Sequence, residues 1–359
     1  MKNNDFIAAC IIPTGIGASI GGYAGDASPY INLLSKVCPV ITNPNSVNAA
    51  IFSGINDNIL YTEGYAIDMF FKEEIALRPS KFNKIGVIFD KAIPEKVLNV
   101  HINTINAVKS TYGINILGYE ITEENAGVDF SVSESGISTG ELKNPDTLIN
   151  SARKLMDKGA EALAAVCYFK NSEDTDYANG SGIDPVGGVE AVISHILTRE
   201  FKVPVAHAPA FDENSLIISS EIVNKKAAAE YITPTFLPCI LLGLYNAPKI
   251  ISRHCEQGEA IHPPFINKWI ASSQAPRNDN QTDITLNNIK ALIMPYDCMG
   301  SLPLLKAIEK NIPVIVVEEN KTVLNITPSV LEIEDKVIKV RNYQEAAGYL
   351  LAMKHGIYF

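Results

Sequence analysis

Apolar residues fall along this chain in two alternating patterns. Runs of about four to eight apolar residues, bounded by Gly, Pro, Asn or Asp, have the form of strands buried on both faces; between them, apolar positions recur every third or fourth residue, as on an amphipathic helix. The opening strand spans residues 6–12. A glycine-rich loop, 14–25, follows it, then a helix beginning at Ser28-Pro29, where Ser serves as cap and Pro suits the first turn, and a second strand over 39–42. The same order returns twice. A strand within 159–169 leads through a polar, glycine-bearing loop to a helix over 189–199 and a strand starting at 203. Near the end, a strand at 289–296, a loop at 297–301, a helix at 302–310 and a strand at 312–317 repeat it. Each unit enters its second strand through a Pro-Val pair: Pro39-Val40, Pro204-Val205 and Pro313-Val314. Proline costs no ladder donor at a strand's first residue. A further strand–helix–strand unit occupies 84–89, 94–112 and 114–119.

Strands alternating with helices in this way predict an α/β fold: two Rossmann-like lobes of mainly parallel sheet flanked by helices, with a ligand cleft at the C-terminal ends of the strands. We assign residues 1–80 plus 285–359 to a lobe carrying the glycine loop, 81–212 to a second lobe, and 213–284 to a helical or capping excursion. Within that excursion, 255–285 is rich in Pro, Asn, Gln and Asp and reads as a cover for the cleft. Gly64, Gly86 and the stretch 125–140 read as turn chemistry. The apolar segment 232–244 reads as a buried helix, since it is too short to span a bilayer and contains Pro234 and Pro238.

Composition narrows the choice of partners. With 47% hydrophobic and 19% charged residues the chain is that of a folded globular protein, and a net charge of -10 with no Lys/Arg run argues against a nucleic-acid surface. The first residues show no basic region followed by an apolar stretch, so no secretory signal and no membrane partner is expected. The cysteines Cys10, Cys38, Cys167, Cys239, Cys255 and Cys298 form no C-x-x-C pair and read as reduced thiols of a cytoplasmic protein. A homo-oligomer is compatible with this composition.

The chemistry, if any, belongs on the strand-end loops. In the glycine loop, Thr14, Gly15, Gly17, Ser19, Gly21 and Gly22 let a backbone approach a ligand, and the following helix could hold a phosphate or carboxylate; a tight structural turn would use the same glycines. The loop is not the dinucleotide fingerprint, because Ile20 stands where its third glycine would fall and Asn43 where its acidic residue would, and no Gly-Lys-Ser/Thr makes it a P-loop. Cys167 and Cys298 end strands at the same point of the repeated unit, a place for an acid/base or nucleophile and equally for a small core residue. His207 lies near a strand end, whereas His195 sits inside a helix and reads as structural. Asp184, Gly187 and Gly188 precede a helix, as a cap or as ligand contacts; Asn43, Asn45, Asn48 and Ser301 have the same two readings. Arg253, His254, Cys255 and His262 fall close together but meet no zinc spacing, so no metal and no organic cofactor is expected.

The stretches IIPTGIGASIGGYAGDASP, GSGIDPVGGVEAVISH and VPVAHAPAF resemble, across nearly the whole chain, a family of bacterial and plant proteins known as domain of unknown function thirty-three twenty-six. That resemblance implies no activity. Residues 84–210, beginning KIGVIFD, also resemble the second half of an aspartate/glutamate racemase-like protein in the order of strand, long helix, strand, Ser/Gly loop, helix and cysteine-ended strand. This second resemblance implies cofactor-free racemases, isomerases or decarboxylases that use strand-end cysteines beside hydroxyl and amide groups binding a carboxylate; Cys167 falls on the second-half cysteine. The sequence departs from that pattern. No cysteine-ended strand lies between 13 and 37, the matching unit appears instead at the far end with Cys298, and the loop after Cys167 is longer.

Three functions compete. One is a cofactor-independent isomerase, racemase or lyase acting on a small anionic metabolite, a carboxylate, with Cys167, Cys298 and His207 as catalytic groups. The second is a phosphometabolite- or nucleotide-binding enzyme that works through the glycine loop, with structural cysteines. The third is a non-catalytic ligand-binding protein.

Overall fold

Each Pro-Val pair opens a strand, at Val40, Val205 and Val314. The computed structural model describes residues 6–22, 27–47, 55–170, 179–180, 182–218, 220–253 and 282–357. The first part of the chain forms β1 (Ile7–Cys10), α1 (Ser28–Val37), β2 (Val40–Thr42), β3 (Ile59–Tyr61), α2 (Gly64–Phe71) and β4 (Ile75–Arg78). The middle forms β5 (Ile85–Phe89), α3 (Glu95–Tyr112), β6 (Ile116–Ile121), β7 (Val128–Val132), β8 (Ser138–Leu142), α4 (Pro145–Asp157), β9 (Ala162–Tyr168), α5 (Gly187–Phe201) and β10 (Val205–Ala210). There follow α6 (Ala228–Tyr231), α7 (Leu237–Tyr245), β11 (Lys249–Ser252), β12 (Ile289–Pro295), α8 (Leu302–Glu309), β13 (Val314–Val317), β14 (Val337–Val340) and α9 (Tyr343–Lys354).

These elements build a mixed α/β protein with two parallel sheets flanked by helices. Six strands lie in the order β14-β13-β12-β1-β2-β3, and four in the order β10-β9-β5-β6. Every neighbouring pair in both is parallel. The larger sheet draws strands from both ends of the chain, the smaller one from its middle. Winding reverses once in each, between β1 and β12 and between β5 and β9. Loops leaving such a switch point part from one another, and the crevice they leave is where open α/β sheets hold ligands. Near these points stand residues 14–22 after β1 and residues 182–186 on the way from β9 to α5.

Burial on both faces explains the unbroken apolar runs. Ala8, Cys10, Val87, Phe89, Ala164 and Val166 contribute to one core shared by both sheets, while the opposite face of each sheet has a core of its own. Each fully buried Val, Leu or Ile contributes roughly 1.5–3 kcal/mol relative to exposure.

Three turn assignments need correction. Residues 125–140 contain most of an antiparallel hairpin, β7–β8, whose alternation Val128, Phe130, Val132 is obscured by surrounding Ser, Glu and Gly. Gly140 lies within it because a Cβ would meet the Asp129 carbonyl at 2.4 Å. Gly86 lies inside β5, where α4 presses close: a Cβ would meet Leu155 Cβ at 2.9 Å. Gly64 opens α2 rather than making a turn, and leaves room for the His195 ring. At α1 the N-cap is Ala27, without a side-chain cap bond, and Ser28 is the first helical residue. The 232–244 helix begins later than its apolar run, at Leu237. Most of the 255–285 excursion, and with it His254, Cys255 and His262, lies outside the described residues. Among the described residues no helix is long and apolar enough to cross a membrane.

Candidate functional site

The two switch-point loops meet. Gly15 takes a positive φ of 72°, and a Cβ there would approach Ser138 and the Gly188 nitrogen at 3.2 to 3.4 Å. Gly188 is tighter, since a Cβ would lie 2.3 Å from the Ser138 carbonyl oxygen. Ser138 ties three segments together. Its N–H donates to Gly15 O (2.9 Å), and its hydroxyl donates to Pro185 O (2.8 Å) while accepting from the Gly188 N–H (3.0 Å). A Cβ on Gly17 would meet Ile183 at 2.9 Å and Val323 at 3.0 Å, and one on Gly187 would meet Asp184 Oδ2 and the Thr14 methyl, both at 3.1 Å. Thr14, Gly15, Gly17, Asp184, Gly187 and Gly188 are thus brought together at the junction of the sheets. Their glycines admit protein backbone and side chains at close range.

Beneath this junction runs α5. Asp184 Oδ1 accepts the Val186 N–H (3.1 Å) at its start, and Lys202 ends it in the left-handed region at φ 55°. Its inward side carries two buried stripes at i, i+4 spacing, apolar Val189, Ile193, Leu197 and polar Glu190, Ser194, Thr198. In β10, His207 pairs in register with Ala165, and Pro209 with Cys167. Side chains two apart share a face, so His207 and Cys167 both project toward α5.

Glu190 Oε2 lies 3.9 Å from His207 Nε2, with both side chains only 9% exposed. Glu190 Oε1 has no hydrogen-bond partner among the described residues. Burial, then the charge of Asp184, pushes Glu190 well above the usual carboxylate range and so favours its protonated form. Burial pushes His207 down to about 3, His195 adding to the shift, so its ring stays uncharged. An ion pair would require two charges that this desolvated position disfavours, so the contact joins a neutral acid to a neutral base.

The other ring nitrogen of His207, Nδ1, is 3.0 Å from Ser194 Oγ, and Ser194 Oγ is 3.4 Å from Glu63 Oε1. His195 Nε2 reaches the same Glu63 oxygen at 2.9 Å. Glu63 follows β3 and caps α2, its Oε2 accepting from the N–H groups of Tyr65 (2.8 Å) and Ala66 (3.3 Å), which is how a nearly buried carboxylate is kept satisfied. Burial acts to lower His195, but the hydrogen bond and charge of Glu63, with Asp68, outweigh it and raise its pKa. The network therefore links the two sheets.

Other expected site residues lie elsewhere. Cys298 follows β12 in the core of the larger sheet, its thiol directed at Pro295 O, while Cys167 belongs to the core beneath α5. The two-thiol arrangement expected from the repeat is corrected on that ground: matched positions ended up in different sheets. Burial raises both thiols, reinforced at Cys167 by Asp90 and Glu190 and at Cys298 by Asp297. Both cysteines will therefore resist iodoacetamide at pH 8 in the native protein and react only after unfolding; peptide mapping checks this, and alkylation of either native thiol contradicts it. Ser19 is taken up by protein contacts, its hydroxyl lying 3.3 Å from Asn320 Oδ1 and accepting from the Lys321 N–H. Gly21 packs on Ala27 and Ile12, and Gly22 on Ala18. Asn43 staples β1 to β2 by accepting from Ile12 N–H (3.1 Å) and donating to Ile12 O (2.7 Å). Asn45 lies in the short turn that follows, Ser301 caps α8, and Asn48 lies outside the described residues. No group of three or more His, Cys, Asp or Glu among the described residues is placed to hold a metal ion.

Sequence reasoning missed Glu190, Ser194 and Glu63 and treated His195 as structural. A signal was present: Glu190, Ser194 and Thr198 recur every four residues beside an apolar stripe, which is also what a solvated helix face looks like.

Comparison with known proteins adds a family. Residues 7–359 match the family described as "Protein of unknown function (DUF3326)". A Synechococcus sp. protein described as an uncharacterized lipoprotein is 33% identical over 362 residues, covering 99% of this chain and 93% of that protein. No solved structure matches, so the racemase-like order of residues 84–210 rests on the sequence alone.

Proposed function

The chain belongs to the DUF3326 family, and from that premise we propose that it is a proton-transfer enzyme, an isomerase, racemase or lyase that needs no organic cofactor and acts on a small carboxylate. His207 is the base and Glu190 the acid, with the Cys167 thiol in the same core. The observation that carries this reading is the contact of Glu190 with His207, two groups whose surroundings push them toward uncommon protonation states. A neutral imidazole accepts a proton at neutral pH, a protonated carboxyl gives one, and pairs displaced in opposite directions are how a fold assigns acid and base roles. An uncharged Glu190 also lets an anion approach and offers it a hydrogen bond. The location beneath two switch-point loops supports the reading. The phosphate-cradle alternative has less support, because close packing accounts for Gly15, Gly17 and Gly188.

The test is hydrogen–deuterium exchange at the α-carbon. A panel of 2-amino, 2-hydroxy and 2-aryl carboxylates in D2O, followed by proton NMR, should show at least one substrate losing its α-proton signal. His207→Gln and Glu190→Gln should each slow that loss by roughly 100-fold or more. Exchange at the wild-type rate in both variants, or none with any member, would overturn the proposal. For localisation we retain the cytoplasm, which suits the thiols of Cys10, Cys38, Cys167 and Cys298, none of which forms a disulfide among the described residues. Carrying over the relative's description would instead place the protein at a membrane surface, and cell fractionation separates the two.

A further inference from the structure

His207 and Glu190 are buried, and a buried base that takes a proton must also lose it. We propose that Ser194 and Glu63 are positioning residues that form a proton relay between His207 and the half-exposed His195; this rests on the acid/base reading above.

The hydrogen positions follow from the acceptors. Ser194 has one hydroxyl hydrogen, and its Oγ lies 3.0 Å from His207 Nδ1, 3.2 Å from the Ala191 carbonyl oxygen, and 3.4 Å from both the Glu190 carbonyl oxygen and Glu63 Oε1. The two carbonyls, and a carboxylate holding the N–H groups of Tyr65 and Ala66, can only accept, so the Ser194 hydrogen goes to one of them, and the relay uses the rotamer that donates to Glu63. His207 must then supply the hydrogen in its own contact with Ser194. This sets its tautomer as Nδ1–H and turns the Nε2 lone pair toward Glu190. With Ser194 turned to Glu63, the donors of His207 and Ser194 both point toward Glu63. His195 Nε2 meets Glu63 from the other side at 2.9 Å, with 44% of its side chain exposed.

The proton count balances. When His207 Nε2 accepts a proton, its Nδ1 proton moves to Ser194 Oγ as the Ser194 hydroxyl proton moves to Glu63 Oε1. Glu63 passes it to the Nε2 lone pair of a neutral His195 in its Nδ1–H tautomer, which then releases that Nδ1 proton to water. One proton enters, one leaves, and no electron pair changes owner beyond the N–H and O–H bonds made and broken. The ionisable groups facing this path are Glu63 at the cap of α2, Asp68 on α2, His195 and Glu190 on α5 with Asp184 before it, His207 on β10, and Cys167 on β9 with Asp90 after β5. The relay also crosses between sheets, since Glu63 follows β3 of the larger sheet and the other members belong to the smaller.

Nitrogen-15 NMR of the histidine rings in the full-length protein tests this without any substrate. The His207 ring should show the Nδ1–H tautomer, and its N–H should exchange with water at a rate that follows the titration of His195. Ser194→Ala should slow that exchange at least tenfold without moving the His195 titration. Ser194→Thr, which keeps a hydroxyl, should restore it. His195→Gln, a change at a half-exposed position, should remove the pH dependence. An Nε2–H tautomer, or exchange unchanged in Ser194→Ala and His195→Gln, would overturn the relay. The relay fails alone if the carboxylate assay is positive while ring exchange ignores Ser194. The enzymatic reading fails alone if ring exchange falls as described and no carboxylate exchanges its α-proton.

Discussion

Glu190→Gln and His207→Gln will tilt the dependence of stability on pH in opposite directions, while the wild-type pair contributes no slope. The relevant window runs from the ordinary carboxylate value of about 4.3 up to the ordinary histidine value of about 6.5, or to the folded value of Glu190 if that is lower. In the unfolded chain within this window His207 carries a proton and Glu190 does not. In the fold, where burial lowers His207 to about 3 and raises Glu190, the proton sits on Glu190. Each state binds one proton, so the pair cancels. Glu190→Gln leaves only His207, whose folded pKa is lowered. The unfolded state then binds the extra proton, and stability is lost as pH falls, by about 1.4 kcal/mol per unit. His207→Gln leaves only Glu190, whose folded pKa is raised. That variant is most stable below the ordinary carboxylate value and loses stability as pH rises toward the folded value of Glu190. Over two pH units the variants diverge by roughly 5 kcal/mol. Urea unfolding at several pH values measures it. A variant profile parallel to wild type would mean that the surviving group titrates normally in the fold, and the acid/base pair would lose its basis.

Gly188→Ala will cost far more stability than Gly187→Ala. The Cβ at 188 would fall 2.3 Å from the Ser138 carbonyl oxygen and 2.6 Å from its carbon, so β8 or the start of α5 must move. Overpacking of this kind costs roughly 1–3 kcal/mol or more, and movement also strains the Gly188 N–H bond to Ser138 Oγ, typically about 1 kcal/mol. At 187 the nearest atoms are the ends of Asp184 and Thr14, 3.1 Å away, which can yield. Replacing a helical glycine with alanine recovers up to about 1 kcal/mol, so the net change there is small. Equal unfolding midpoints for the two variants would show that Ser138 and α5 do not meet as closely as described.

Much of the architecture was legible along the chain. The apolar runs and the Pro-Val entries located most of the long strands, because burial on both faces leaves few polar positions and proline costs no ladder donor where a strand begins. The hairpin β7–β8 was hidden. Its alternation is brief and its Ser- and Gly-rich surroundings are also turn chemistry, and much of its packing is against α5, far along the chain. The site was legible as a region, the loops 14–22 and 184–188, and in His207 and Cys167, but Glu190, Ser194 and Glu63 were not.

The sequence by itself determined the α/β class, the strand and helix periodicities and the strand ends where loops would gather, since these depend on residues a few positions apart. Only the tertiary structure decided which strand ends meet. Cys167 and Cys298 occupy equal places in a repeat, yet β12 pairs with β1 and β9 with β5, so their thiols enter different cores. It also decided that the pKa of Glu190 is raised and that of His207 lowered. Those shifts come from desolvation, imposed by segments as distant in sequence as Glu63 is from Ser194, 131 residues away. A local pattern records which side chains could be buried together; the protonation they adopt depends on what excludes the water around them.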